Sequence, residues 1–288
     1  MSNTRLTLLI GLSTLLLATR ALAIDVTDDE QRAVQLSAPA ERIVSLIPHA
    51  TEMLYEIEAE HRILATVAYA DYPEAARDLP RVGDYNALNT EAILSLQPDL
   101  VIAYPGGPTR PEVERLIDLG MTVFFSDPQS LDEIAQTLRL FGTLTSHQTQ
   151  AEQRATTFEQ GMIALGENYS NRTELSVFYE VWHDPYYTLN GDSFISHILT
   201  LCGARNVFAE LPMTAPQVSL EAILAQNPDV IVTNIQRAGS DSHWQQRPQM
   251  KAVRNQALVG VDPDVMHRPT PILLTGARQL CADLDEHR

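Results

Sequence analysis

Glu91-Ala92-Ile93-Leu94-Ser95-Leu96-Gln97-Pro98-Asp99-Leu100-Val101-Ile102 returns 130 residues later as Glu221-Ala222-Ile223-Leu224-Ala225-Gln226-Asn227-Pro228-Asp229-Val230-Ile231-Val232. Six of the twelve positions are identical and the last three exchange one aliphatic residue for another, so one local structure is specified twice. Glu, Ala, Ile and Leu favour a helix, proline stops it, and the apolar run that follows suits a buried strand. Such a unit is common in α/β chains and can arise independently. The surrounding pattern makes duplication the better reading.

Around the first copy, residues 42–46 form an apolar strand closed by Pro48. A helix over 50–57 follows, with Thr51 or His49 near its start. Strands are expected at 63–70, 100–104 and 121–125, with a helix at 111–119 between the last two. Around the second copy the same grammar returns. A strand at 175–181 precedes a helix at 194–202, with Asp192 or Ser193 as N-cap and Gly203 as stop. Strands at 230–233 and 258–261 and a closing helix at 271–284 complete the half. This rhythm specifies an α/β fold of two similar lobes, each a mostly parallel sheet flanked by helices. The lobes are expected at 40–145 and 171–288.

Residues 146–170 join them. The stretch is polar, rich in alanine and glutamine and free of proline, with Phe158, Met162 and Leu165 on one side. That pattern predicts a long helix with a narrow apolar stripe. A rigid helical link limits hinge opening.

Residues 1–23 read as a cleaved export signal. Arg5 gives the positive start, residues 6–17 the apolar centre, and Ala21-Leu22-Ala23 the small-x-small cleavage site. The alternative is a buried N-terminal helix. No cysteine follows for a lipid anchor, so the mature chain is expected to be soluble in a Gram-negative periplasm. Loss of Arg5 and Arg20 takes the formal charge from −17 to −19. That acidity argues against nucleic-acid binding and for a basic partner surface. A mature chain of about 265 residues suits two lobes. In an oxidising compartment the only cysteines, Cys202 and Cys281, invite one disulfide. Two separate buried thiols are the alternative.

Pro48-His49-Ala50-Thr51-Glu52, Tyr69-Ala70-Asp71-Tyr72-Pro73, the Glu-Ala-Ile-Leu repeat, Ala215-Pro216-Gln217-Val218-Ser219 and the two cysteines resemble one family. It is the helix-linked (class III) periplasmic binding proteins of ABC importers, and the likeness spans residues 40–284. Within that family the likeness is to the vitamin B12 (cobalamin) binders. The resemblance implies a corrinoid cargo, a monomeric carrier, and an inner-membrane permease dimer with its ATPase subunits as partner. No cofactor is implied beyond the transported ligand.

Ligands of parallel α/β sheets sit at the carboxyl ends of strands, so two such lobes create one cleft. Residues just past the strands list its walls: His49, Tyr69, Tyr72, Tyr85 and Tyr104 from the first lobe, and Trp182, His183, Tyr186, Tyr187, Met213, Asp264, Val265, Met266, His267 and Arg268 from the second. Aromatic rings suit a flat macrocycle, and phenol hydroxyls can reach its amide arms. Ordinary sheet-edge packing is the alternative for each tyrosine. The resemblance implies that Tyr69 contacts ligand and that residues 264–268 close over it. Tyr85, Tyr104 and Met213 stand where corrinoid binders carry tryptophan. Glu91 and Glu221 follow the expected N-caps Asn89 and Ser219 by two positions. Stabilisation of the helix dipole would explain both glutamates. The resemblance implies instead that they dock into arginine pockets of the permease.

Three other readings compete. His49, His183 and His267 with Asp71 or Asp264 could surround a metal or haem iron, although no close-spaced histidine motif supports it. A ferric siderophore could face Arg268. Gly191-Asp192-Ser193-Phe194 superficially resembles a nucleophile turn, but Asn190-Gly191 is a turn dipeptide and Ser193 an expected cap. No catalytic motif is present, and no enzyme activity is expected.

Overall fold

A computed structural model describes residues 23–238 and 242–288, without the side chain of Arg237. The expected signal segment lies outside the described residues apart from Ala23. The described residues open with an antiparallel hairpin, β1 (Ile24–Thr27) and β2 (Ala33–Leu36), which buries Val26, Val34 and Leu36. The first half continues through β3 (Ile43–Ser45), α1 (Pro48–Glu56), β4 (Ile63–Ala65), α2 (Thr90–Ser95), β5 (Leu100–Ala103), α3 (Arg110–Asp118), β6 (Val123–Phe125) and α4 (Leu131–Thr145). Then comes the long helix α5 (Gln148–Tyr169).

The second half begins with β7 (Leu175–Tyr179) and the short hairpin β8 (Trp182–His183) and β9 (Tyr186–Tyr187). It runs on through α6 (Phe194–Leu201), β10 (Ala204–Asn206), α7 (Leu220–Gln226), β11 (Val230–Asn234), α8 (Lys251–Arg254), β12 (Leu258–Val261), α9 (Pro263–Met266) and α10 (Leu273–Asp285).

Each half holds one four-stranded parallel sheet, ordered β4-β3-β5-β6 and β10-β7-β11-β12. Counting only the strands of each sheet from the start of its half, both read 2-1-3-4. The repeated segments, α2–β5 and α7–β11, occupy the same place in each. Duplication read from twelve residues therefore extends to the topology.

Local chemistry explains the boundaries. Asn89 and Ser219 accept hydrogen bonds from Ala92 N (3.0 Å) and Ala222 N (3.1 Å), capping α2 and α7. Ser193, not Asp192, caps α6, accepting from Ser196 N at 3.1 Å, and Gly203 follows that helix at φ +67°. Helix α1 starts earlier than expected, at Pro48. Its first position needs no N–H acceptor, and no side chain caps it. The strand expected at 63–70 stops at Ala65. From there Thr66 pairs with the Pro80–Val82 segment (2.9 Å each way), and Tyr69 turns left-handed at φ 66°.

Helix α5 buries Ala151, Ala155, Phe158, Gly161, Met162 and Leu165, the expected stripe widened by small residues. Gly161 is required by a close approach. A Cβ there would lie 2.3 Å from Leu274 Cδ2 of α10. On the polar side Arg139 of α4 pairs with Glu152 (2.8 Å) and Glu159 (2.7 Å) of α5. The main apolar core continues through α5 into both halves, and a smaller cluster lies on the other face of each sheet. Cys202 and Cys281 are disulfide-bonded and tie the end of α6 to α10. Among the described residues no helix is long and apolar enough to cross a membrane.

Candidate ligand-binding site

In a 2-1-3-4 sheet the crossovers diverge between the first and third strands, and a crevice opens at their carboxyl ends. Here those ends are β3 and β5 in the first half and β7 and β11 in the second. Tyr104 follows β5 directly, and its ring rests on Gly106, where a Cβ would come within 2.9 Å of Tyr104 Cε1. The exposed Tyr85 ring lies beside it over Gly107, whose φ of +81° also favours glycine. The two rings thus form one platform. Burial, then the carboxylate of Asp127, raise the Tyr104 phenol above its usual pKa. Asp127 is itself pushed up to about 6 by burial and the neighbouring Asp29 carboxylate.

The second half supplies a broader aromatic wall. Trp182 is half exposed and donates its indole N–H to Asp184 O at 3.0 Å. Its ring lies 5.8 Å from His183, which lies 5.3 Å from His243. His243 and Tyr186 then pack on Trp244 at 4.8 and 5.4 Å. Beneath them sits the buried carboxylate of Glu180, just past β7. It accepts from Thr233 Oγ1 (2.8 Å) and Trp244 Nε1 (2.6 Å), with His243 Nε2 3.1 Å away. Burial pushes this carboxyl up, but the adjacent His243 ring and the hydrogen bonds from Thr233 and Trp244 outweigh it and leave the pKa below the usual value.

The two halves meet at Arg268. Its Nη1 pairs with Glu52 of α1, and its Nη2 donates to Tyr69 O (3.2 Å) and Asp264 Oδ1 (2.9 Å). Glu52 is 1% exposed in its side chain and Arg268 16%, so this ion pair is largely withdrawn from water. The Tyr69 side chain is 73% exposed beside it. A pocket of about 230 Å³ nearby in sequence to this loop is lined by Val181, Leu189, Phe194, Thr214 and His267, with Gln129 from the first half. Gln129 also lines a larger acidic cavity of about 450 Å³ with Asp28, Asp29, Asp127 and Glu133.

Not every expected wall residue serves this region. His49 is turned inward, its Nε2 3.0 Å from Ser126 Oγ, and burial lowers its pKa to about 4. His267 is hydrogen-bonded to Tyr179 OH at 3.0 Å, and burial lowers it too. Tyr72 lines a separate pocket beside α5 and α10 with Arg154 and Pro271. Val265 and Met266 lie against the closing helix. The single turn of α9 directs them toward Gly276 of α10, while Asp264 on its other side stays exposed and meets Arg268. Met213 is exposed on the loop before Thr214, and Tyr187 pairs with Trp182 in the β8–β9 hairpin.

The histidines proposed for a metal are held apart in different contacts. Among the described residues no cluster of three or more His, Cys, Asp or Glu is arranged around a cation. Ser193 Oγ is engaged as the cap of α6 and bonds Asn190 O at 3.2 Å, so it is not presented as a nucleophile. Glu91 and Glu221 are exposed in the first turns of α2 and α7, at equivalent positions. The Glu221 carboxyl is held below its usual pKa by its own backbone N–H and by Ser219.

Sequence reading missed Glu52, Gln129, Glu180, His243 and Trp244. Trp244 carried a usable signal, being one of only two tryptophans.

Comparison with known proteins adds a family to this geometry. The profile described as "Periplasmic binding protein" matches residues 43–265. A protein of Vibrio cholerae named vitamin B12-binding protein is 34% identical over 247 residues, 85% of this chain and 90% of that one. A protein of the same name from Photorhabdus laumondii is 33% identical, covering 85% and 88%. Among solved structures, the periplasmic vitamin B12 binding protein BtuF of Vibrio cholerae superposes with a TM-score of 0.79 at 34% identity. That match covers 86% of this chain and 98% of the other.

Proposed function

The chain belongs to the periplasmic binding protein family, and from that premise we propose that it captures cobalamin or a related corrinoid between its halves for an ABC importer. The observation that supports this reading is an aromatic surface in each of two halves whose sheets have the same strand order. Tyr85 and Tyr104 supply one, and Trp182, Tyr186 and the His183–His243 layer the other. Stacked against a corrin, such rings exclude water. Burying a few hundred Å² of ligand stabilises the complex by several kcal/mol at about 25 cal/mol per Å², before ordering costs.

In this proposal residues 40–145 and 171–288 are the two lobes and 146–170 their link. Residues 1–23 direct export and are removed near Ala23, leaving a soluble periplasmic monomer. The loaded carrier docks Glu91 and Glu221 on the two permease subunits, whose ATPases drive release. Equivalent placement of the glutamates in a duplicated chain suits a permease with twofold symmetry. The cargo is released chemically unchanged.

Titration calorimetry of the mature chain with cyanocobalamin, haemin, a ferric siderophore and zinc tests this. One equivalent of cyanocobalamin should bind, and the loaded protein should be red. Binding of haemin, siderophore or zinc with no heat from cyanocobalamin would replace the corrinoid reading with that ligand.

A further inference from the structure

Arg247 lies between β11 and α8 and packs into the aromatic wall of the second half. Its guanidinium carbon is 5.4 Å from the centre of the Trp244 ring, and its Nη1 donates to His243 O at 2.7 Å. Trp244 in turn carries Tyr186 at 5.4 Å and His243 at 4.8 Å, and donates its indole N–H to Glu180 at 2.6 Å. The turn that presents Arg247 is pinned as well. Arg247 N donates to Trp244 O (2.9 Å), and Met250 N donates to Arg247 O (3.1 Å). The side chain is thus held in place by the ring beneath it and by its own backbone.

What this arginine lacks is a counter-charge. Arg268 is committed to Glu52 and Asp264, whereas no carboxylate among the described residues pairs with Arg247. The chain has 37 acidic residues against 20 basic ones, so an arginine left without an acid is not a matter of supply. Packing over an indole uses the face of a guanidinium. Its five N–H donors lie in its plane, and the side chain makes one hydrogen bond, to His243 O. Trp244 is wholly buried and Arg247 half-buried, so the cation has lost part of its hydration without the return that an anion would give. Burial raises the pKa of the neighbouring Tyr186 phenol, and the charge of Arg247 opposes that rise.

We propose that Arg247 is a specificity-determining contact for the phosphodiester of the cargo's nucleotide loop. Cobalamin carries this anion outside the corrin plane, in the loop that joins the macrocycle to its lower base. A guanidinium fits two phosphate oxygens with two parallel N–H donors. With the corrin against Trp182 and Tyr186, Arg247 adjoins the same wall through Trp244. Because it holds no protein carboxylate, the new ion pair forms without breaking an old one. This inference rests on the corrinoid reading above and names the part of the corrinoid that is selected: cobamides with a complete loop over cobinamide, which lacks phosphate and base.

The test measures cyanocobalamin, cobinamide and cobinamide phosphate by calorimetry on the mature chain and on Arg247→Gln. Cobinamide phosphate restores the anion without the base, and so separates the phosphate from stacking of the base. The wild type should bind cobinamide phosphate at least about tenfold more tightly than cobinamide, the order expected for charge-assisted hydrogen bonds in a half-buried setting. In Arg247→Gln that preference should disappear, with cyanocobalamin weakened by about tenfold and cobinamide unchanged. Arg247→Lys keeps the charge without the fork and should recover part of the preference. Equal binding of cobinamide and its phosphate by the wild type overturns the proposal and leaves the corrinoid reading standing. That comparison needs no variant, so it decides the matter even if Arg247→Gln fails to fold. An undiminished preference in Arg247→Gln also overturns it. So does a variant that weakens all three ligands alike, because Arg247 would then support the rings without touching the anion. No binding of cyanocobalamin by the wild type removes the corrinoid reading and this proposal with it.

Discussion

Asp99 and Asp229 hold the first strand of their respective sheets in the same way. Asp99 accepts from Glu41 N (2.8 Å) and Arg42 N (3.0 Å) at the start of β3, and Asp229 accepts from Ser176 N (2.8 Å) and Oγ (2.7 Å) at the start of β7. The Pro-Asp step between helix and strand thus does more than end a helix. Its carboxylate binds the neighbouring strand's free N–H groups.

Asp229→Asn should destabilise the chain by about 1–3 kcal/mol, the cost of weakening charge-assisted bonds to partly buried donors, and Asp99→Asn by less, because Glu41 and Arg42 are exposed. Asp229 also pairs with Lys251, and its variant should cost more. Urea denaturation measures both, and unchanged midpoints would contradict the assigned role.

The aromatic platform makes a second prediction. Tyr85→Ala and Tyr104→Ala should each weaken cyanocobalamin binding by about 1–3 kcal/mol with little effect on folding. Gly107→Val should weaken binding without touching either ring chemically, because a Cβ at φ +81° lies 3.3 Å from Tyr85 Cε2. Calorimetry checks all three, and full affinity in Tyr85→Ala would take that ring out of the site.

His49 gives a pH prediction. Its folded pKa of about 4 lies below the ordinary value of 6.5. Between them the unfolded chain binds a proton that the native chain refuses. Its contribution is therefore present above 6.5 and lost as pH falls toward 4, by at most about 3 kcal/mol. Asp127 acts in the opposite sense, because its raised pKa favours the native chain at low pH and that benefit fades as pH rises through about 6. The difference between wild type and His49→Gln isolates the histidine. Parallel stability curves from pH 7 to 4 would show that it does not titrate this way.

Charge reversal at the docking glutamates, Glu91→Lys with Glu221→Lys, should abolish uptake in cells and leave ligand affinity intact. The caps Asn89 and Ser219 remain, so both helices should stay folded, losing only a favourable dipole contact at an exposed end. Uptake at the normal rate would refute docking through these residues.

What could be read from sequence follows the range of the interactions. Caps at Asn89, Ser193 and Ser219 were legible because donor and acceptor lie within one turn. The repeat exposed the duplication because each copy carries its own helix, stop and strand, whereas the strand order of the sheets was not legible. The β1–β2 hairpin was missed, since its inward residues are few. The strand at 63–70 was drawn too long because apolar residues past Ala65 are buried in a turn and not in the sheet. In the site, single tyrosines after strands could be named, but their supports could not. Glu180 and Trp244 are 64 positions apart, and Glu52 and Arg268 are 216 apart. The inward turn of Val265 and Met266 toward Gly276 was not legible either, because one helical turn separates outward from inward neighbours.

Helix α5 has a consequence for how the molecule comes apart. Because a continuous apolar interior passes from one sheet through Phe158, Met162 and Leu165 to the other, severing the chain at either end of that helix would leave a greasy seam open to water on both fragments. Melting should accordingly proceed as a single calorimetric event, despite the ancestry of the two sheets as separate units.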